Sequence, residues 1–262
     1  MRDLAERAYF VLCLALGRLL RSATYSKAQL VSQDGERLVR KRRLFYAPLL
    51  VWLGGPLVTI LDTGVRVLGQ REWEERERRM YWLLHGASVR IEEDGTLVLP
   101  CLSGETLATL LEDPTLQDPV RDRIIAQAAA ALAELHRLGF SHGDAMAENV
   151  LVDRDSETAR WFDFETLHAS SRPAAWRRAD DWRSLAATCL LRIAPERHAE
   201  VLRTILDACG DEEAIRFVAE SFTVLRRPLA FHLAQARLSL RSFREAGRLL
   251  TDRLGEQPAH RG

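Results

Sequence analysis

Leu135-His136-Arg137-Leu138-Gly139-Phe140-Ser141-His142-Gly143-Asp144, then Ala145-Met146-Ala147-Glu148-Asn149, is followed fourteen residues later by Asp163 in Trp161-Phe162-Asp163-Phe164-Glu165. Upstream, Val120 to Leu138 is an Ala-rich helix stopped by Gly139, a residue suited to the position just past a helix end. Downstream, Asn149–Val152 and Ala159–Phe164 flank the polar stretch Asp153–Thr158 and read as two strands of a hairpin. The outer ends of that hairpin meet, so Asn149 comes beside Asp163, with Asp144 on the loop just before. Two oxygen ligands at one end of a hairpin suit Mg2+, which takes few protein ligands and keeps the rest of its shell for phosphate and water. A neighbouring carboxylate that is not a ligand can accept the proton of an attacking hydroxyl. Phosphoryl transfer needs little beyond positioning and charge neutralisation.

His-Gly-Asp, four residues, Asn, a short hairpin and then Asp-Phe-Glu resembles the catalytic and metal-binding loops of the protein-kinase-like superfamily. The His-Gly-Asp form is similar to the small-molecule branch: aminoglycoside and choline kinases, and lipopolysaccharide-core sugar kinases such as Kdo kinase. The resemblance implies Asp144 as catalytic base, Asn149 and Asp163 as magnesium ligands, and His142 as a structural support of the metal loop. It also implies ATP and Mg2+ as cofactors and a hydroxyl-bearing small molecule, sugar or glycolipid as acceptor. Asp181-Trp182-Arg183-Ser184-Leu185 resembles the helix start whose Asp anchors the catalytic-loop backbone, with Asp180 competing for that role.

The N-terminal half supplies the nucleotide side of the argument. Ala28–Val31 and Arg37–Arg43 read as strands around the turn Asp34-Gly35. Val39-Arg40-Lys41 fits the strand that carries a phosphate-binding lysine, and alternation puts Val39, Lys41 and Arg43 on one face. Glu72 to Leu84 is a charged helix with an apolar stripe of Trp73, Met80, Leu83 and Leu84. Aligning on Leu83-Leu84 places Met80 where kinases carry the lysine's glutamate. Glu77, one turn earlier, is the chosen partner, and Glu74 lies a turn before it. There is no Gly-x-Gly-x-x-Gly, and Ser32-Gln33-Asp34-Gly35 is the candidate phosphate loop. Val89–Ile91 and Leu97–Leu99 form a hairpin, and Pro100 to Leu107 follows as the hinge, where backbone groups around Cys101 would meet adenine. The expected fold is α+β and two-lobed: residues 1–100 a small β-containing N-lobe, residues 101–262 a mainly helical C-lobe.

Composition narrows the setting. The 262 residues balance 37 basic against 37 acidic side chains, so no global basic field argues for nucleic acid. Cys13, Cys101, Cys189 and Cys209 are far apart without metal-ligand spacing and read as reduced thiols of a cytoplasmic protein. No apolar run reaches the roughly 18 residues of a membrane-spanning helix. Leu4–Leu20 and Pro48–Leu68 are apolar enough to be either lobe-covering core or an interfacial element at the inner membrane face, beside the basic stretch Val39–Arg43. His85, His168 and His198 have no metal-like spacing and read as incidental. A protein Ser/Thr kinase is disfavoured by Asp-Phe-Glu in place of Asp-Phe-Gly and by the missing Ala-Pro-Glu segment. A pseudokinase scaffold remains the alternative from another class.

Overall fold

A computed structural model describes residues 26–44, 64–223 and 248; the segments Leu4–Leu20 and 48–63 lie outside the described residues. Strands β1 (Ser26–Gln33) and β2 (Glu36–Arg43) pair antiparallel around Asp34 and Gly35, which hold φ of 54° and 83°. Such paired left-handed residues match the twist of the flanking strands. β2 also pairs with β5 (Leu97–Pro100), which pairs with β4 (Arg90–Ile91), giving the order β1-β2-β5-β4. The end of the apolar segment is the strand β3 (Val65–Val67).

Helix α1 (Gln70–His85) lies against this sheet and buries Trp73, Glu77, Met80 and Tyr81, spaced as one helical face. Leu83, expected in the stripe, is 43% exposed, because the buried face runs through residues 77, 80 and 81 and leaves position 83 at its edge. Trp73, Tyr81, Val89, Leu97 and Leu99 form a small core under the sheet, with Leu68 closing it.

The C-terminal part is built on helices. α2 (Leu107–Glu112) and α3 (Asp118–Arg137) are followed by β7 (Val150–Asp153) and β8 (Thr158–Trp161), whose hairpin also takes β6 (Glu105–Thr106) on its edge. β9 (Thr166–His168) pairs with β3 rather than with its neighbours in sequence. α4 (Ala174–Leu190) is buried along nearly its whole length and packs against α5 (His198–Cys209) and α6 (Glu212–Thr223). One large core joins these helices to the hairpin through Val150, Val152, Trp161 and Phe164. The result is an α+β fold, with the sheet and α1 on one side and the helices on the other. No helix among the described residues is long and apolar enough to cross a membrane.

Candidate active site

Lys41 is the hub of the site. Its side chain leaves the middle of β2 toward α1, and Nζ donates to Glu77 Oε1 at 2.6 Å and to Asp163 Oδ1 at 2.7 Å. Glu165 Oε1 stands 3.1 Å from the same nitrogen as a third ion pair. Burial works against the ammonium, but Glu77, Asp163 and Glu165 outweigh it and lift the lysine pKa well above its ordinary value. Glu77 is 1% exposed. Burial raises its pKa while Lys41 opposes that rise. A carboxylate in such a place needs donors. Glu77 Oε1 also accepts from Trp73 Nε1 at 3.3 Å and from the Phe164 amide at 3.2 Å, so one oxygen fastens α1, β2 and the stretch after Asp163 together.

A second group of residues shapes the loop before the hairpin. Val150 pairs with Trp161, and the Phe162 amide donates to Asn149 O at 3.0 Å, which brings the Asn149 and Asp163 ends of the hairpin to one place. Asn149 Nδ2 donates to Asp144 O at 2.8 Å and to Asp144 Oδ2 at 3.0 Å, closing the turn between them. His142 is fully buried between them, its ring 4.6 Å from that of Phe164. Its Nε2 donates to Phe162 O at 3.0 Å, so Nδ1 is left to accept the Asp144 amide at 3.3 Å. Burial pushes the His142 pKa down to about 4, in keeping with a neutral ring that accepts and donates at once. Asp163 itself holds φ of 67°, a strained conformation for a residue with a side chain and one that gathers at functional sites.

Between the two competing acids the geometry is clear. Asp181 accepts the His142 and Gly143 amides at 2.8 and 2.9 Å and His136 Nε2 at 2.9 Å. Asp180 turns instead to His168 and Arg183. Glu74 does not reach Lys41 and bonds Gln70.

Two expectations shift. The Cys101 amide donates to Arg37 O at 3.0 Å, extending the β2–β5 ladder, so its N–H is not offered to adenine and only its carbonyl oxygen remains for a base. The Ser32–Gly35 turn closes the Cys101 end of β2, roughly 20 Å of strand from Lys41 at about 3.3 Å per residue. It cannot cover phosphates held by Lys41; the Ser26 end of β1, paired with Arg43, is the nearer one. Three residues escaped sequence reasoning. Arg76 reaches from α1 to the carbonyl oxygens of Ser141 and His142, at 2.7 and 3.4 Å, but is hidden in a run of arginines. Glu165 departs from the glycine of Asp-Phe-Gly, a visible signal. His168, read as incidental, is buried in a polar network.

The residues fit a divalent cation. Three carboxylates meet one ammonium, and buried Glu77 Oε2 has no hydrogen-bond partner among the described residues. No cluster of three or more His, Cys, Asp or Glu in coordinating geometry occurs among them, and Mg2+ bound with a nucleotide uses only one or two carboxylates.

Residues 102–202 match the model of the lipopolysaccharide kinase (Kdo/WaaP) family. No curated protein matches the chain. Among solved structures it is similar to the bifunctional kinase-methyltransferase WbdD, at 19% identity and TM-score 0.35, over 58% of this chain and 40% of that one. It is also similar to Rad53 1-466 in complex with AMP-PNP, at 13% identity and TM-score 0.36, over 87% of this chain and 57% of that one. The chain thus spans about half the length, or less, of these two proteins. The family match is confined to residues 102–202, the stretch that holds Asp144, Asn149 and Asp163.

Proposed function

We propose that this protein is a kinase that moves the γ-phosphoryl group of ATP to a hydroxyl of a sugar or glycolipid. The observation that carries the reading is the Lys41 ammonium, fixed by Glu77 and Asp163 at the end of the hairpin that also bears Asn149 and Asp144. Residues 1–100 act as the nucleotide-covering lobe and residues 101–262 as the lobe that binds the acceptor. Leu30 and Val39 pair across β1 and β2 on the Lys41 face, and the 54% exposed Leu30 offers an apolar roof for a base.

Lys41 holds nucleotide phosphate oxygens once Asp163 turns to the metal; Glu77 keeps the ammonium aimed there. Asp163 and Asn149 would hold Mg2+, which when bound neutralises charge on the transferred group. Asp144, kept in place by Asn149 Nδ2 and by its own amide on His142, takes the acceptor proton as the oxygen attacks. The sugar class of the acceptor rests on the lipopolysaccharide kinase match. Incubating the protein with Mg-ATP and a bacterial glycolipid extract, followed by mass spectrometry, tests it: a glycolipid heavier by one phosphate is expected. ATP binding without transfer to glycolipid, sugar or protein would favour the pseudokinase scaffold.

A further inference from the structure

Residues 64–68 and 165–169 run as one antiparallel ribbon that no short-range pattern requires. Val65, Arg66 and Val67 pair with His168, Leu167 and Thr166. The ribbon extends at both ends, through the Leu68 amide on Glu165 O at 3.1 Å and the Ala169 amide on Gly64 O at 2.8 Å. It therefore joins the entry to α1, which carries Glu77, to the residues just after Asp163.

The helical side grips this ribbon at three points. His168 is 1% exposed, with Nδ1 2.8 Å from Ser141 Oγ and Nε2 3.1 Å from Asp180 Oδ2. Trp176 of α4 meets the His168 ring edge-on and also covers Gly64, where an added Cβ would lie 2.3 Å from its ring. Gly143, with φ of 90°, lets β9 cross the catalytic loop: a Cβ there would come within 3.0 Å of Thr166 Oγ1 and 3.2 Å of the Thr166 backbone. The His-Gly-Asp glycine is thus a consequence of where β9 lies.

We propose that His168 is a positioning residue for phosphoryl transfer, clamping the ribbon to the catalytic loop and α4 so that Glu77 and Asp163 are presented together. The proposal rests on the kinase reading for its catalytic consequence, but the clamp itself is physical and separately measurable. Hydrogen exchange on His168→Ala should rise in residues 64–69 and 162–169 together, including the Phe164 amide held by Glu77. Phosphate release from Mg-ATP, with water as acceptor, should fall roughly 10- to 100-fold in kcat with little change in KM for ATP.

Because His168→Ala can also loosen the fold, a second variant separates the effects. The end bonds of the ribbon make residues 65 and 168 a pair without mutual hydrogen bonds, about 4.5 Å between Cα atoms and within disulfide reach. Val65→Cys/His168→Cys removes the imidazole and, once oxidised, locks β9 to β3 while leaving the contacts to Ser141 and Asp180 unmade. Oxidised protein that stays as slow as its reduced form supports the proposal. Oxidised protein that regains most of the wild-type rate, or faster exchange in His168→Ala confined to residues 166–169, would overturn it. Wild-type protein that releases no phosphate to water leaves exchange to decide the clamp, and the kinase reading to the transfer assay.

Discussion

Replacing Lys41 by Met, a substitution of nearly equal length, should cost this protein stability as well as activity. Glu77 is 1% exposed and sits in the apolar face of α1, with Lys41 Nζ 2.6 Å away as its cationic partner. Removing one member of such a buried pair typically costs about 3–5 kcal/mol, because the remaining charge stays desolvated. Set against the roughly 5–15 kcal/mol of a folded domain, that is about a fifth of the total or more. Glu77→Gln in the Lys41→Met background removes the stranded charge while keeping an oxygen for Trp73 Nε1 and the Phe164 amide. The double variant should therefore be more stable than the sum of the single effects by on the order of 1–3 kcal/mol. The pH dependence carries a sign. Burial already raises the Glu77 pKa, and Lys41 opposes that rise, so its loss lifts the pKa further. A carboxylate with a raised folded pKa destabilises above that pKa, and the penalty fades as pH falls through it. Urea unfolding from about pH 8 to pH 5 should show Lys41→Met closing part of its gap to wild type. A loss under about 1 kcal/mol, additive effects in the double variant, or a gap independent of pH would refute the reasoning.

Asp163→Asn should abolish turnover and weaken Mg2+-dependent nucleotide binding, read by thermal shift with ATP in the presence and absence of Mg2+. His142 is neutral in the fold, with its pKa pushed to about 4 from an ordinary 6.5. The unfolded chain takes up that proton first as pH falls, so His142 alone should remove about 2 kcal/mol of stability between pH 7 and pH 5. Chemical denaturation of wild type and His142→Asn checks this, the variant lacking that part of the acid sensitivity. Gly143→Ala combines a positive φ with a clash against Thr166 and should cost about 1–3 kcal/mol, visible as a lowered Tm.

The elements readable in the sequence are those set by local chemistry. Asp34-Gly35, a pair suited to positive φ, specifies the β1–β2 hairpin, and the polar turn Asp153–Thr158 does the same for β7 and β8. Aligning on Leu83-Leu84 puts Met80 at the position of the lysine's partner, and Glu77, one turn earlier, is the residue that meets Lys41. What stayed hidden depends on tertiary placement. β3 and β9 have three residues each, too short for a period of two to show, and they pair across about a hundred positions of chain. Turn chemistry locates Asp34-Gly35 without telling which end of the sheet faces the cleft, so the phosphate loop was placed at the wrong end. Arg76 is one of several arginines on α1 and is distinguished only by reaching Ser141 O. His168 had no sequence neighbour to betray its partners, since Ser141 and Asp180 come to it from two other elements.

The central claim, phosphoryl transfer with Asp144 as base, is tested most directly by following γ-labelled phosphate from Mg-ATP into a glycolipid fraction with wild-type protein and Asp144→Asn. Asp144 Oδ2 accepts from Asn149 Nδ2, and its amide donates to His142 Nδ1. The variant should keep its ATP affinity and lose about 10²-fold or more in kcat. Equal transfer by both proteins, or none by the wild type on any hydroxyl acceptor, would contradict the account.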